Sequence, residues 1–380
     1  MKRLFIKRYL LFLFFILLSC NQSPKGSKIS STSVKNEIVH AKGLAIYKHK
    51  GYSIVIVKNP WPEAKTDFTY ILKEKNTTLP DNLKQFTTIS VPIQNIVVTS
   101  TTHIPALELL GVENTLIGFP DTQYISSKKT RKHIDSGKII DVGKNESLNT
   151  EILIDLAPSV LVSFGINNSN PALDNLEKSG LKVMLNGDWN EQTPLGKAEW
   201  IKFFGALYGL EPQATTAFNT VEKEYNSTLA LANKATSKPS VLCGALYQNQ
   251  WYVPQGESWA ALFLKAAQAN YLWQNSKGTG SLALPFETIL DKAQKADFWI
   301  APGDFSSLQE MSNQNPHYQQ FAAFQNKKVY SYAKKRGATG GIVYFELAAT
   351  RPDLVLKDLI KIIHPELMPN HTLFFFEPLK

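Results

Sequence analysis

Hydrophobic and polar positions follow two rhythms along the chain. Between residues 43 and 92 the rhythm is that of strands. GLAIYKHKGYSIVIVKNPW reads as two strands turning at Lys50-Gly51, and DFTYILKE and FTTISVP supply a third and a fourth. From Ile93 short apolar runs alternate with helix-like stretches. NIVVTS, TLIGF, KIIDVG, SVLVSFG and LKVMLN are strand candidates, and HIPALELLGV, TEILIDLA and PALDNLEKSG are the helix candidates among them. That alternation predicts a mainly parallel sheet flanked by helices.

A helical stretch follows, from Leu195 to Tyr208, apolar on the face carrying Trp200, Phe203, Phe204 and Leu207. Gly209 interrupts it, and Pro212 suits the first turn of a second helix. Ala214, Ala217, Phe218, Val221, Tyr225 and Leu229 keep a helical period over residues 211–235. At 1.5 Å per residue that helix would be about 37 Å long, enough to join two lobes. Past Lys238-Pro239 the alternation resumes. SVLCGALY, DFWIAPG and KKVYSYA read as strands, and ESWAALFLKAAQ and FETILDKA as helices. GGIVYFELAATRPDLVLKDLIKIIHPEL reads as one long final helix kinked at Pro352. The expected fold class is α/β: two lobes, each a mainly parallel sheet flanked by helices, joined by a long helix. The expected divisions are a β-rich extension at 43–92, a first lobe at 93–195, linking helices at 196–238 and a second lobe at 239–372.

One phrase occurs twice. TEILIDLAPSVLVS begins at residue 150 and FETILDKAQKADFWIA at residue 286. Each has a Glu early in a helix, an Asp four residues later, and then an apolar strand. Either carboxylate alone, Glu151 or Glu287, is explained by the helix dipole, a contribution of about 0.3–1 kcal/mol. The dipole does not explain why the surrounding phrase recurs.

Composition changes this picture mainly at the N-terminus. MKRLFIKRYLLFLFFILLSC has a basic start, a short apolar run and then Cys20, the form of a secretory signal at 1–19. Its ending, LLSC, resembles a bacterial lipobox, in which the Cys becomes the lipidated first residue. The polar NQSPKGSKISSTSVKN then fits a flexible tether at 20–42. The formal charge of +9 owes four units to Lys2, Arg3, Lys7 and Arg8. That leaves 37 of the 41 basic side chains against 32 acidic ones. An excess so mild argues against nucleic acid as a partner. The other cysteine, Cys243, lies within an apolar strand and reads as a small buried hydrophobe.

Signatures of catalysis are missing: no H-E-x-x-H, no G-x-S-x-G and no Walker A loop. GTGSLA at 278–283 matches a relaxed dinucleotide pattern but follows no strand and opens no helix. No metal site, catalytic residue or cofactor is expected. Binding residues are instead sought in loops after parallel strands, where α/β folds place ligands. In the first half these loops offer Thr101, Thr102, His103, Phe164 and Trp189; in the second, Tyr247, Trp251, Tyr252, Trp259 and Arg336. Aromatic faces suit large flat ligands. Lys334, Lys335 and Arg336 together suit an anionic one. His103 is either a ligand contact or a cap for the helix that begins at Ile104.

Taken in order, NIVVTSTTHIPALELLG, NTEILIDLAPSVLVS, SVLCGALYQNQWYVPQGESWAALFL, LPFETILDKAQKADFWIAPG, KKVYSY and ATRPDLVLKDLIKIIHPEL resemble the substrate-binding lipoproteins of ABC importers for iron–siderophore complexes, haem and cobalamin. The resemblance covers roughly residues 90–370. It implies two lobes with a ligand cleft between them, a rigid linking helix, and a lipid anchor on the periplasmic face of the cell envelope. It implies that Glu151 and Glu287 dock onto arginines of a membrane permease, itself driven by an ATPase. The implied ligand is a metal chelate, an iron–siderophore complex first and cobalamin or haem as alternatives. A lipid-anchored enzyme and a protein-contact scaffold on the same fold are the competing classes.

Overall fold

The computed structural model describes residues 34–167 and 171–380. Its first sheet is built from β1 (Leu44–His49), β2 (Tyr52–Val57), β3 (Phe68–Glu74) and β4 (Thr87–Val91) in that order. The first three are antiparallel and β4 runs parallel to β3. One face of this sheet is apolar because its strands alternate. Ile46, Val55, Leu72 and Ile89 thereby enter a shared core with Ile96, Val98, Phe203 and Phe204. The β-rich extension is thus packed onto the first lobe.

That lobe contains β5 (Ile96–Val98), β6 (Leu116–Phe119), β7 (Ile140–Asp141), the short hairpin β8 (Gly143–Lys144) and β9 (Ser147–Leu148), then β10 (Val160–Ser163) and β11 (Val183–Leu185). The main sheet has the order β11-β10-β5-β6-β7, and every pairing in it is parallel. The helices Ile104–Leu109, Thr150–Leu156 and Pro171–Lys178 connect these strands where the apolar spacing predicts them. The helix Lys128–Asp135, capped by Ser127, was not legible because its sequence is almost wholly polar.

Three helices link the lobes: Pro194–Glu199, Ile201–Tyr208 and Glu211–Ala232. The last has 22 residues, a length of about 33 Å. Its first half places Ala214, Phe218 and Val221 in the first core, and its second half places Tyr225 and Ala232 in the second. A single rigid element therefore anchors in both lobes.

The second lobe contains β12 (Ser240–Cys243), β13 (Leu246–Tyr247), β14 (Gln250–Pro254), β15 (Asn270–Tyr271), β16 (Ser281–Leu284), β17 (Phe298–Ile300), β18 (Val329–Ser331) and β19 (Glu377–Pro378). Its main sheet runs β15-β12-β17-β18-β19, parallel except for the edge strand β19. A separate antiparallel sheet joins β13, β14 and β16. Here two expectations are corrected. The segment read as a loop, YQNQWYVPQGESW, contains most of this sheet, and GTGSLALP supplies its third strand. The expected single final helix is two, Val343–Leu347 and Pro352–Ile363. Pro352 does not kink a continuous helix; it occupies the first turn of a new one, where its missing N–H costs nothing.

Buried carboxylates tie down both ends of the described chain. Glu199 is fully buried and accepts from the backbone N–H groups of Val39, His40 and Ala41, with the Lys202 ammonium 2.7 Å away. Burial pushes its pKa up, but Lys202 and these donors more than offset that and hold it below the usual range. Asp358, also fully buried, accepts from the N–H groups of Phe374, Phe375 and Phe376 and so fixes the C-terminal tail. No helix among the described residues is long and apolar enough to cross a membrane. Cys20 and the apolar run before it lie outside the described residues.

Candidate functional site

The parallel strands of the second lobe end at a cavity of about 660 Å³. Gly244 follows β12, the segment 301–304 follows β17, and Tyr332 follows β18; all of these line it. The β13–β14–β16 sheet forms one wall through Tyr247 and Tyr252. The helix Trp259–Ala266 forms another through Trp259 and Phe263. Val355, Leu359 and Phe376 close the far side. Tyr332 and Tyr344 stack with ring centroids 4.3 Å apart. Tyr247, Tyr252 and Phe345 are exposed, so the mouth is a patch of open aromatic surface. Among the described residues no three His, Cys, Asp or Glu side chains converge as metal ligands.

The expected binding residues divide unevenly around this cavity. Tyr247, Tyr252 and Trp259 line it. Trp251 does not: it is fully buried, stacks on Trp299 at 5.2 Å, and donates its indole N–H to the carbonyl of Cys243. Its neighbour Tyr252 lies on the opposite face of β14, as strand alternation requires. Expecting Trp251 to touch ligand was therefore wrong. The same holds for His103. Its ring is fully buried against Phe204, with neither nitrogen hydrogen-bonded, so it is neither a helix cap nor an exposed contact. Burial lowers its pKa and keeps it neutral. The helix from Ile104 has no side-chain cap; Ser100 caps the short 3-10 turn Thr101–His103 before it, its hydroxyl accepting from the N–H of Thr102.

Thr101, Thr102, Phe164 and Trp189 lie outside the cavity lining, on loops that leave the carboxyl ends of β5, β10 and β11. Trp189 is partly exposed and donates to the carbonyl of Gly165 at 3.2 Å. The basic trio is committed elsewhere. Arg336 is ion-paired with Asp304. The Lys334 ammonium lies between the Pro378 carbonyl and Glu377. That of Lys335 donates to the Phe374 carbonyl at 2.6 Å and sits 3.7 Å from the Phe374 ring centroid. The expectation that these three neutralise an anionic ligand is thus not met. The residues that sequence reasoning missed are Tyr332, Tyr344, Phe345 and Phe376. Tyr332 could have been found by the same rule of loops after parallel strands, since it follows the carboxyl end of β18.

Residues 96–336, well over half of the chain, match the family described as "Periplasmic binding protein". The chain belongs to that family. An uncharacterised lipoprotein of Methanocaldococcus jannaschii is 27% identical, over 94% of this chain and 88% of its own length. Among solved structures, a periplasmic binding protein from Veillonella parvula covers 90% of this chain and 98% of itself, with 14% identity and a TM-score of 0.57. A periplasmic haem-binding protein of Vibrio cholerae covers 69% and 99%, with 19% identity and a TM-score of 0.54. At these identities the structural likeness is one of fold.

In this periplasmic binding protein the repeated phrase is the same helix–strand unit in each lobe. Thr150–Leu156 leads into β10, and Phe286–Ala293 leads into β17. Glu151 and Glu287 are each the second residue of their helix, and both are exposed. Neither has an ion-pair partner among the described residues.

The lobes also touch directly. Thr339 donates to the carbonyl of Gln123 at 2.6 Å, and Glu346 accepts from the backbone N–H of Ser126 at 2.6 Å. Gly341 permits this approach, because a Cβ there would lie 2.2 Å from the Tyr124 carbonyl oxygen. Glu346 shares a short helix with the cavity residues Tyr344 and Phe345. It is 4% exposed, and burial followed by the nearby Glu108 carboxylate raises its pKa to about 7, while bonds to Ser126 and Ser127 oppose the rise.

A carboxyl whose folded pKa lies above its ordinary value of 4.5 stabilises the fold most below that value. The contribution disappears as pH rises through about 7. Its full size is about 3 kcal/mol. Glu346→Gln keeps an acceptor for Ser126 but cannot ionise. Thermal melts between pH 5 and pH 8 are expected to show a downward slope in the parent that is reduced in Glu346→Gln. Equal slopes would show that Glu346 does not titrate in this range.

Proposed function

We propose that this chain is the ligand-capturing component of an ABC importer, taking a metal chelate into the second-lobe cavity and delivering it to a membrane permease and its ATPase. The observation that carries this is the open aromatic cavity at the carboxyl ends of β12, β17 and β18. Its volume is within the usual range for small-molecule sites, and its walls offer ring faces to a large flat surface. A protein-contact scaffold would have this space filled by side chains. Tyr247, Tyr252 and Trp259 are the expected ligand contacts, joined by Tyr332, Tyr344 and Phe345. Thr101, Thr102, Phe164 and Trp189 become contacts only for a ligand that reaches the first lobe.

In this reading the division into lobes at 93–195 and 239–372 is functional: each lobe supplies one docking point, Glu151 or Glu287. A carboxylate–guanidinium contact is bidentate and charge-assisted, so two of them fix orientation as well as affinity. The chain is held at the periplasmic face of the envelope through lipid on Cys20, which keeps it near the permease. A metal chelate is favoured over a bare oxyanion because the walls are aromatic. The iron–siderophore, cobalamin and haem classes all fall within it, since the basic trio that suits an anionic ligand is engaged elsewhere. The test is a thermal-shift screen of the full chain in mild detergent against ferric siderophores, haem, cobalamin and molybdate. A chelate is expected to raise the melting temperature, and molybdate is not. A shift with molybdate alone, or with none of the four, would refute the proposal.

A further inference from the structure

We infer that the captured ligand carries no net negative charge, and that the stacked phenols Tyr332 and Tyr344 hydrogen-bond to a neutral acceptor on it. The inference rests on the chelate-binding reading above and narrows it to a charge class.

Among the described residues, the cavity wall contains one charged side chain, Asp304, and no lysine, arginine or histidine. Asp304 is already neutralised by Arg336, which also donates to the carbonyl of Gly340 at 2.8 Å. An anionic ligand that approached Arg336 would meet the Asp304 carboxylate beside it. Another nearby cation is Lys197, 5.6 Å from the Trp259 ring centroid. Its ammonium donates to the carbonyls of Asp188 and Trp189, at 2.9 Å and 2.7 Å. Among the described residues, neither of these cations lines the cavity itself. An anion entering would lose hydration and find no counter-charge, an arrangement strongly disfavoured in an apolar enclosure. A neutral complex with an apolar exterior meets no such cost.

The phenols supply the polar complement. Neither hydroxyl has a hydrogen-bond partner among the described residues, and both residues line the cavity. Burial pushes the Tyr332 phenol up to about 12 and that of Tyr344 well above its ordinary value. Both are therefore neutral donors at physiological pH. The acceptors that suit them are carbonyl or ether oxygens on an uncharged ligand.

The experiment is calorimetric titration of the full chain, in mild detergent and physiological salt, with two iron complexes of similar size. One is a neutral ferric trihydroxamate and the other a trianionic ferric tris-catecholate. The neutral complex is expected to bind at least 100-fold more tightly. Paired Tyr332→Phe and Tyr344→Phe substitutions are expected to weaken it about 10-fold or more, the loss of two ordinary hydrogen bonds. Equal or tighter binding of the catecholate would overturn this inference and leave the chelate reading standing. Undiminished binding by the phenylalanine variant would overturn the role of the phenols. If neither complex binds, and cobalamin and haem also fail, both this inference and the chelate reading fall.

Discussion

Reversing both exposed carboxylates, Glu151→Lys with Glu287→Lys, is expected to abolish uptake by cells while leaving ligand affinity within about twofold. Neither side chain lines the cavity, and neither is paired within the described residues. Removing one partner of a buried, hydrogen-bonded charge pair at an interface typically costs about 2–5 kcal/mol, and reversal adds repulsion. Two such losses reduce docking by several orders of magnitude. If the glutamates only complement their helix dipoles, the double variant loses about 1–2 kcal/mol of stability and uptake continues. Uptake of a labelled chelate, measured beside its affinity in solution, separates these outcomes. A parallel fall in affinity would assign the carboxylates to the cleft or the fold and end the docking proposal.

The largest expected effect on the fold itself is at Gly244. This residue leaves β12 with φ +75°, a backbone conformation that side chains disfavour by about 1–2 kcal/mol. A Cβ there would lie 1.8 Å from the carbonyl oxygen of Tyr252, an impossible contact. The neighbouring backbone cannot yield easily. The Gly244 N–H donates to the Ala301 carbonyl, and its own carbonyl accepts from the Trp299 indole at 2.8 Å. Gly244→Ala must therefore push β14 away from the main sheet and disturb Tyr247 and Tyr252 together. A loss of about 3–5 kcal/mol in denaturant unfolding is expected, the upper end for single substitutions. Chelate binding should weaken with it. Parental stability in Gly244→Ala would mean that the β13–β14 hairpin is not fixed as described.

Much of this fold could be read from the sequence, and the failures have physical causes. The β-rich start, the parallel strands of both lobes and the linking helix depend on local periodicity, which a sequence displays. The repeated phrase was legible for the same reason, since helix and strand are each short and strongly patterned. The β13–β14–β16 sheet was not, because β14 pairs with a strand that begins 27 residues beyond its own end and no local signal reports that pairing. The cost fell on the site. Read as a loop, Trp251 and Tyr252 looked like one aromatic patch. As a strand they point to opposite faces, one into the core and one to the cavity mouth. The three consecutive basic residues misled in a similar way. Their partners Asp304, Glu377 and the Phe374 carbonyl come from distant parts of the chain, so a cluster of free charge in sequence is three occupied side chains in space.

Filling the cavity tests the account most directly. Ala260 lines it from the first turn of the helix Trp259–Ala266 and is only half-buried, so Ala260→Trp can place an indole in the open space without displacing the core. The measurement is calorimetric titration with a neutral ferric trihydroxamate, made on the parent chain and on Ala260→Trp, with their melting temperatures compared. The prediction is one saturable site per parent chain, and at least a 100-fold loss of affinity in a variant that still melts like the parent. Undiminished binding by a folded Ala260→Trp chain would contradict the account, because the ligand would then have to sit elsewhere.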